Sequence, residues 1–316
     1  MADDDVVSEK FPELFHYTNV SGLESIYTKR QFWATHYENL NDSTEFGRFS
    51  LKVRDFISPK IRELFENKML LSSEFATAIK RQGGVEAAAD EAAEWHLDRV
   101  HSRTFDKHMY QETFLSSFCG HTDPYEAGQG LLSQWRGYGA EGGVAIVLDT
   151  AAIENMLRHE SDVFQLQLNY MADVIYDNET DRIRKRFREV YNGSPQVLEI
   201  WSSYEQPFDE MKLAELYEKM HNDFVLGSTL VKHHAFHEEN EIRIVVSPKT
   251  KDCYSYEPTD RKRQKQILYR QKGGTEVRYI ELFGDTPLPI IRVIVGPSRF
   301  QKSNRQRVLN PPPHLA

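Results

Sequence analysis

The apolar residues of this chain follow two rhythms. Short runs bounded by turn residues read as strands: "ELFHYTN" (13–19), "FWATH" (32–36), "TFLSSFC" (113–119) and "GGVAIVLD" (142–149), then "EIRIVVSP" (241–248), "VRYIEL" (277–282) and "IIRVIVGP" (290–297). The run "FQLQLNYMADVIY" (164–176) alternates enough to be one long strand. Between these lie helical patterns. Residues 20–30 place Leu23, Ile26 and Tyr27 on one face, with Ser21 as a candidate N-cap, and "LLSQWRGYG" (131–139) reads as a short helix. Ala- and Glu-rich sequence from about 43 to 110, and again the stretch 179–230, is helix-forming.

Strands at both ends of the chain, with helices between them, predict an α+β fold: a mixed or antiparallel sheet core carrying helical insertions near 43–110 and 179–230. No shift in composition marks a linker. One domain is therefore expected over 13–308, between a disordered N-terminus (1–12) and a flexible tail (309–316).

With 316 residues the chain is long enough to bury roughly 75% of its unfolded surface, so the fold needs no staples. A formal charge of −9 argues against a broad nucleic-acid surface. The basic runs "RIRKRFR" (182–188) and "DRKRQK" (260–265) read as solvated surface. Cys119 and Cys253 form neither a disulfide framework nor a metal-ligand pair. The start "MADDDVVSEK" lacks a signal-peptide pattern, and no apolar run reaches the ~20 residues that span a bilayer. A soluble, cytoplasmic protein without membrane contact is expected.

Candidate chemistry gathers at a few places. His16 and Thr18 share one face of their strand and can present a ring nitrogen and a hydroxyl to a ligand; the plain alternative is a core histidine. Ser116 and Ser117 sit at the centre of a strand, where they would line a polar cleft or simply pair with neighbours. Trp135 and Tyr138 lie three apart, on one helix face, either stacking on a flat ring or packing in the core. In "KHHAFHEENEIRIVV" the alternation of Glu239 and Glu241 puts both carboxylates on one side, where like charges repel unless a cation, a metal or a developing positive charge uses them. Arg243 pairing with one of them is the alternative. His233, His234 and His237 lie close by but lack the His-Glu-x-x-His spacing, so a metal ranks below a substrate and none is assigned. Walker, Rossmann and Gly-x-Ser-x-Gly signatures are absent from the sequence.

In order, "LFHYTNVSGLESIYTKRQFWATHYENLNDSTEF", "SQWRGYGAEGGVAIVLD", "FHEENEIRIVV" and "IIRVIVGPS" resemble the bacterial domain-of-unknown-function family numbered 2971. The first block is also similar to the opening of ADP-ribosyltransferases, including DarT-type toxins. That superfamily has His-x-Thr ending a strand, a Ser-Thr-Ser-like strand and a Glu-x-Glu pair. Here Tyr17 follows the histidine, where glycine is common, and the serine strand reads Ser-Ser-Phe.

The resemblance implies an ADP-ribosyltransferase-like fold that takes NAD as its substrate and transfers ADP-ribose to a protein or nucleic-acid acceptor, or to water. It implies Glu241 as the catalytic glutamate and Glu239 as the residue that orients or deprotonates the acceptor. NAD would be held by His16, Thr18, Ser116 and Ser117, with Tyr17 or Tyr138 stacking on nicotinamide. An intracellular toxin or antiphage effector is the implied setting, with a partner protein or antitoxin as a further expectation. The rival is a non-catalytic nucleotide- or partner-binding module; a metal-dependent nuclease built on 233–241 ranks last.

Overall fold

A computed structural model describes residues 6–40, 45–106, 110–139, 142–202, 210–251 and 262–309. A short helix α1 (Val7–Lys10) leads into β1 (Glu13–Asn19), α2 (Val20–Lys29) and β2 (Gln31–His36). The N-cap of α2 is Asn19, not Ser21. Asn19 is still extended (φ −91°, ψ 173°), so its side-chain oxygen can accept the Gly22 N–H at 2.8 Å.

Helices α3 (Glu45–Leu71), α4 (Ser73–Arg81) and α5 (Val85–His101) make up the first insertion. Then come β3 (Phe114–Cys119), α6 (Pro124–Gln129), α7 (Leu132–Tyr138), β4 (Gly143–Asp149) and α8 (Thr150–Val163). The run 164–176 is not one strand. It breaks at Val174 into β5 (Leu166–Asp173) and β6 (Ile175–Tyr176), which belong to different sheets. At the break the Asp173 carboxylate accepts Lys10 at 2.7 Å, Arg182 at 2.6 Å and Arg186 at 3.1 Å, tying α1 and the second insertion to this corner.

That insertion comprises α9 (Thr180–Arg186), α10 (Arg188–Ser202) and α11 (Glu210–Leu230); the chain then runs on through β7 (Val231–Lys232), β8 (Glu241–Pro248), β9 (Leu268–Lys272), β10 (Thr275–Phe283), β11 (Ile290–Val295) and α12 (Gln301–Leu309). The two insertions are remote in sequence but share one core, in which Phe49, Phe187, Tyr217 and Phe224 are buried together with Leu115 and Val245 of the sheet. Phe118, Ile146, Ile242 and Ile244 belong to a second core, closed by residues of α2 and α8.

The main sheet is antiparallel in every pairing, ordered β11-β4-β1-β3-β2-β10-β9, with β8 on β3 and β5 on β8. Strand β3 is a fork. One edge pairs with β8 along its whole length, from Phe114↔Val246 to Cys119↔Glu241. The other edge meets β1 at Cys119 and β2 at Phe114 and Leu115. Ser116, Ser117 and Phe118 face the gap between those two partners.

The N-terminal stretch is packed rather than frayed from residue 6 onward: Val7 and Phe11 are buried and Ser8 bonds Glu154. Of the expected tail, Leu309 ends α12 and 310–316 lie outside the described residues, as do 1–5 and Cys253. Among the described residues no helix is long and apolar enough to cross a membrane.

Candidate active site

A cleft of about 540 Å³ opens where β1 and β2 part along one edge of β3. His16, Tyr17, Thr18, Ser116, Ser117, Tyr138, Glu239 and Glu241 all line it, although they come from four separate stretches of the chain.

His16 is fixed by the fork. Its Nδ1 lies 3.3 Å from the carbonyl oxygen of Ser117, one of the groups in the gap, and its ring packs edge-on to Phe32 at 5.1 Å. A carbonyl only accepts, so Nδ1 carries the proton and the neutral ring keeps its lone pair on Nε2. Burial lowers the pKa to about 4 despite the Ser117 bond, so the ring is neutral at pH 7. Here is an acceptor suited to a ligand hydroxyl. Ser117 is exposed and Ser116 is buried, so the serine pair presents one side chain to each face of the sheet.

The two glutamates meet differently from the expected strand alternation. Glu239 ends a 3₁₀ turn (His234–Glu239), Asn240 adopts a left-handed conformation at φ 41°, and Glu241 is the first residue of β8. Asn tolerates that conformation better than most residues. What joins the pair is Lys232. Its Nζ lies 2.7 Å from Glu239 Oε2 and 2.8 Å from Glu241 Oε2, over the Phe236 ring. Arg243 shares a strand face with Glu241 and grips it through Nε at 2.7 Å and Nη2 at 3.0 Å, while its Nη1 donates to the Thr229 carbonyl. Burial would raise the Glu241 pKa, but Arg243 and Lys232 outweigh it and hold the value near 2. The carboxylate is ionised at any physiological pH. It can bind or stabilise, not donate a proton.

The aromatics divide. Trp135 is buried against Tyr17 and donates its indole N–H to the Gln129 carbonyl. The Tyr17 hydroxyl accepts the Leu131 N–H at 2.8 Å and lies 2.7 Å from His121 Nε2. Tyr17 thus anchors the start of α7, on the strand face opposite His16, and leaves the imidazole uncrowded. Tyr138 is 51% exposed and is the ring free to meet a ligand. Burial, then Glu239 and Glu241, raise its pKa, so it stays a phenol. Cys119 also lines the cleft, with burial and Glu241 pushing its thiol far up and making it a poor nucleophile.

Asp177, His233 and His234 offer ligand atoms within 4.8 Å of one another. These atoms are already engaged. Asp177 Oδ1 takes the His234 N–H and Nδ1, and Oδ2 takes Arg48, while His233 Nδ1 accepts the Ala235 N–H. That last bond puts the neutral His233 proton on Nε2, the nitrogen a metal would need bare. The cluster caps the 3₁₀ turn.

The far wall escaped sequence reasoning. Trp33 and Thr35 of β2, Arg270 and Lys272 of β9 and Val277 of β10 all line the cleft. Strand β9 is an exposed edge with no apolar alternation, so its sequence resembles a basic loop.

Residues 134–244 match a family model described as "Protein of unknown function (DUF2971)". Over this segment the chain is similar to the DUF2971 family. The DUF2971 segment carries Tyr138, Lys232, Glu239, Glu241 and Arg243, and leaves His16, Thr18 and the β9–β10 wall outside its limits. Comparison with curated proteins and with solved structures gives no match.

Proposed function

We propose that this cleft binds NAD and that the protein splits the nicotinamide–ribose bond, passing ADP-ribose to a protein or nucleic-acid acceptor, or to water. The observation that carries the reading is the meeting of His16, Tyr138 and Glu241 around one cleft. In the reaction the C–N bond breaks with its electron pair going to the pyridinium nitrogen, and nicotinamide leaves neutral. The acceptor nucleophile bonds to the ribose carbon as its proton passes to Glu239 or solvent. Positive charge builds on the sugar, as in glycoside cleavage. The ionised Glu241 holds a ribose hydroxyl and opposes that charge, His16 Nε2 accepts a second hydroxyl, and Tyr138 covers the nicotinamide ring. In a cell such an activity suits a cytoplasmic toxin or antiphage effector, restrained by a partner or antitoxin.

One observation favours a second reading. Lys232 and Arg243 neutralise Glu239 and Glu241 in the free protein, as in a module that binds a nucleotide without cleaving it. NAD consumption by the purified chain, with and without lysate, beside Glu241→Gln separates the two. Turnover that falls about 10²–10³-fold in the variant supports catalysis. Saturable NAD binding without turnover supports the module, and neither at millimolar NAD overturns both.

A further inference from the structure

The wall of the cleft away from Glu241 carries a charge that the proposed chemistry leaves unused. Antiparallel register puts Trp33, Thr35, Tyr279, Val277 and Arg270 on one face, because Trp33↔Glu281, Thr35↔Tyr279 and Val277↔Arg270 are directly opposed pairs. On that face the Arg270 guanidinium lies 4.9 Å from the Trp33 ring and 5.7 Å from the Tyr279 ring, and Nη2 donates to Thr35 Oγ1 at 3.3 Å. Among the described residues no carboxylate pairs with Arg270, and its Nε is buried without a hydrogen-bond partner. By contrast, Lys232, which also lines the cleft, is held by Glu239 and Glu241, and Arg243 behind it is held by Glu241. Arg270 is half-buried and reaches the cleft, and Lys272 joins it two residues on, on the same strand face.

A half-buried guanidinium without an acid is electrostatically incomplete: desolvation disfavours its charge, and only two aromatic rings and one neutral hydroxyl offset that. An anion entering the cleft completes it. The planar fork suits phosphate oxygens, with Lys272 adding a point charge. We infer that Arg270 and Lys272 form a phosphate subsite that takes the diphosphate of a bound nucleotide, with Arg270 held flat by Trp33 and aimed by Thr35. The choice of a nucleotide as the phosphate's carrier rests on the reading of the cleft as an NAD site. The subsite itself rests on the wall.

The test is calorimetry on the full chain with ADP, adenosine and a short single-stranded oligonucleotide, comparing wild type with Arg270→Gln and Lys272→Gln. The expected result is saturable ADP binding that weakens about tenfold or more in Arg270→Gln, is reduced in Lys272→Gln, and falls with added salt. Adenosine should bind weakly and equally in all three. Lys272 is exposed, so its variant keeps the test decisive should Arg270→Gln misfold by circular dichroism. Undetectable ADP binding to wild type, or equal affinity in wild type and the folded variants, overturns the subsite. So does an oligonucleotide that binds while ADP does not, since the wall would then be a nucleic-acid face. ADP binding that needs Arg270 without NAD cleavage keeps the subsite and removes the catalytic reading; NAD cleavage indifferent to Arg270→Gln does the reverse.

Discussion

Arg243 and Glu241, two residues apart on β8, are locked together by a two-point contact at 2.7 and 3.0 Å inside the protein, at 4% and 5% exposure. Neither residue is tolerable there alone. Each charge has left water, and each is repaid by the other, with Lys232 and the Thr229 carbonyl completing the set.

Breaking this pair from one side strands the other charge. Arg243→Met should destabilise the protein by about 3–5 kcal/mol, read as a lower urea midpoint at unchanged slope. Removing both charges in Arg243→Met/Glu241→Met should recover much of that loss, since an apolar pair of similar volume fits a buried site. A double variant no more stable than the single would show that the contact is not what holds this corner.

Tyr17 and Tyr138 both line the cleft but should respond in opposite ways. Tyr17→Phe leaves the buried Leu131 N–H without its acceptor and should cost about 1–3 kcal/mol in chemical denaturation. Tyr138→Ala, at a half-exposed position, should change stability by no more than about 0.5 kcal/mol while weakening NAD binding in calorimetry. Equal NAD affinity in Tyr138→Ala would remove it from the binding site.

Acid should loosen the helical insertions. Burial holds His96 and His221 near a pKa of about 4, and among the described residues neither ring has a hydrogen-bond partner on either nitrogen. Unfolded histidine titrates near 6.5, so the unfolded chain binds the extra protons first. This stability is present in full above about pH 6.5 and declines as pH falls toward 4. The positive charge of Arg103 further opposes protonation of His221. Unfolding free energy measured from pH 7.5 to 5 should drop, and His96→Phe should flatten part of the slope. An unchanged slope in that variant would assign the acid sensitivity elsewhere.

Gly227 sits inside α11, where alanine normally gains about 1 kcal/mol of helix propensity. Here a Cβ would meet the Phe49 ring at 2.5 Å. Overpacking costs about 1–3 kcal/mol, so Gly227→Ala should lower the urea midpoint rather than raise it. A higher midpoint would mean that α3 and α11 can move apart at no cost.

The residues of the cleft were legible because strand alternation is local. His16 and Thr18 on one face of β1, Tyr17 on the other, and Arg243 sharing a face with Glu241 follow from a period of two, without any partner strand. The same reasoning failed where alternation was not the cause. Glu239 and Glu241 meet through a turn at Asn240 and a shared lysine, and the run 164–176 splits although its pattern is continuous. Strand β9 was missed because both of its faces are largely wet.

By itself, then, the sequence determined most of the strands, the helical insertions, the acidic balance and the faces on which the polar residues of β1 and β8 stand. Periodicity records which side of an element meets the core, and that is a property of neighbours in the chain. Only the tertiary structure decided that β3 would be shared by β1 and β2 with a gap between them, that both insertions would build one core, and that Lys232 would neutralise two glutamates at once. It also set Arg270 over Trp33 with no carboxylate partner among the described residues. Those outcomes depend on pairings between residues up to hundreds of positions apart, fixed by the burial of whole faces rather than by any local pattern.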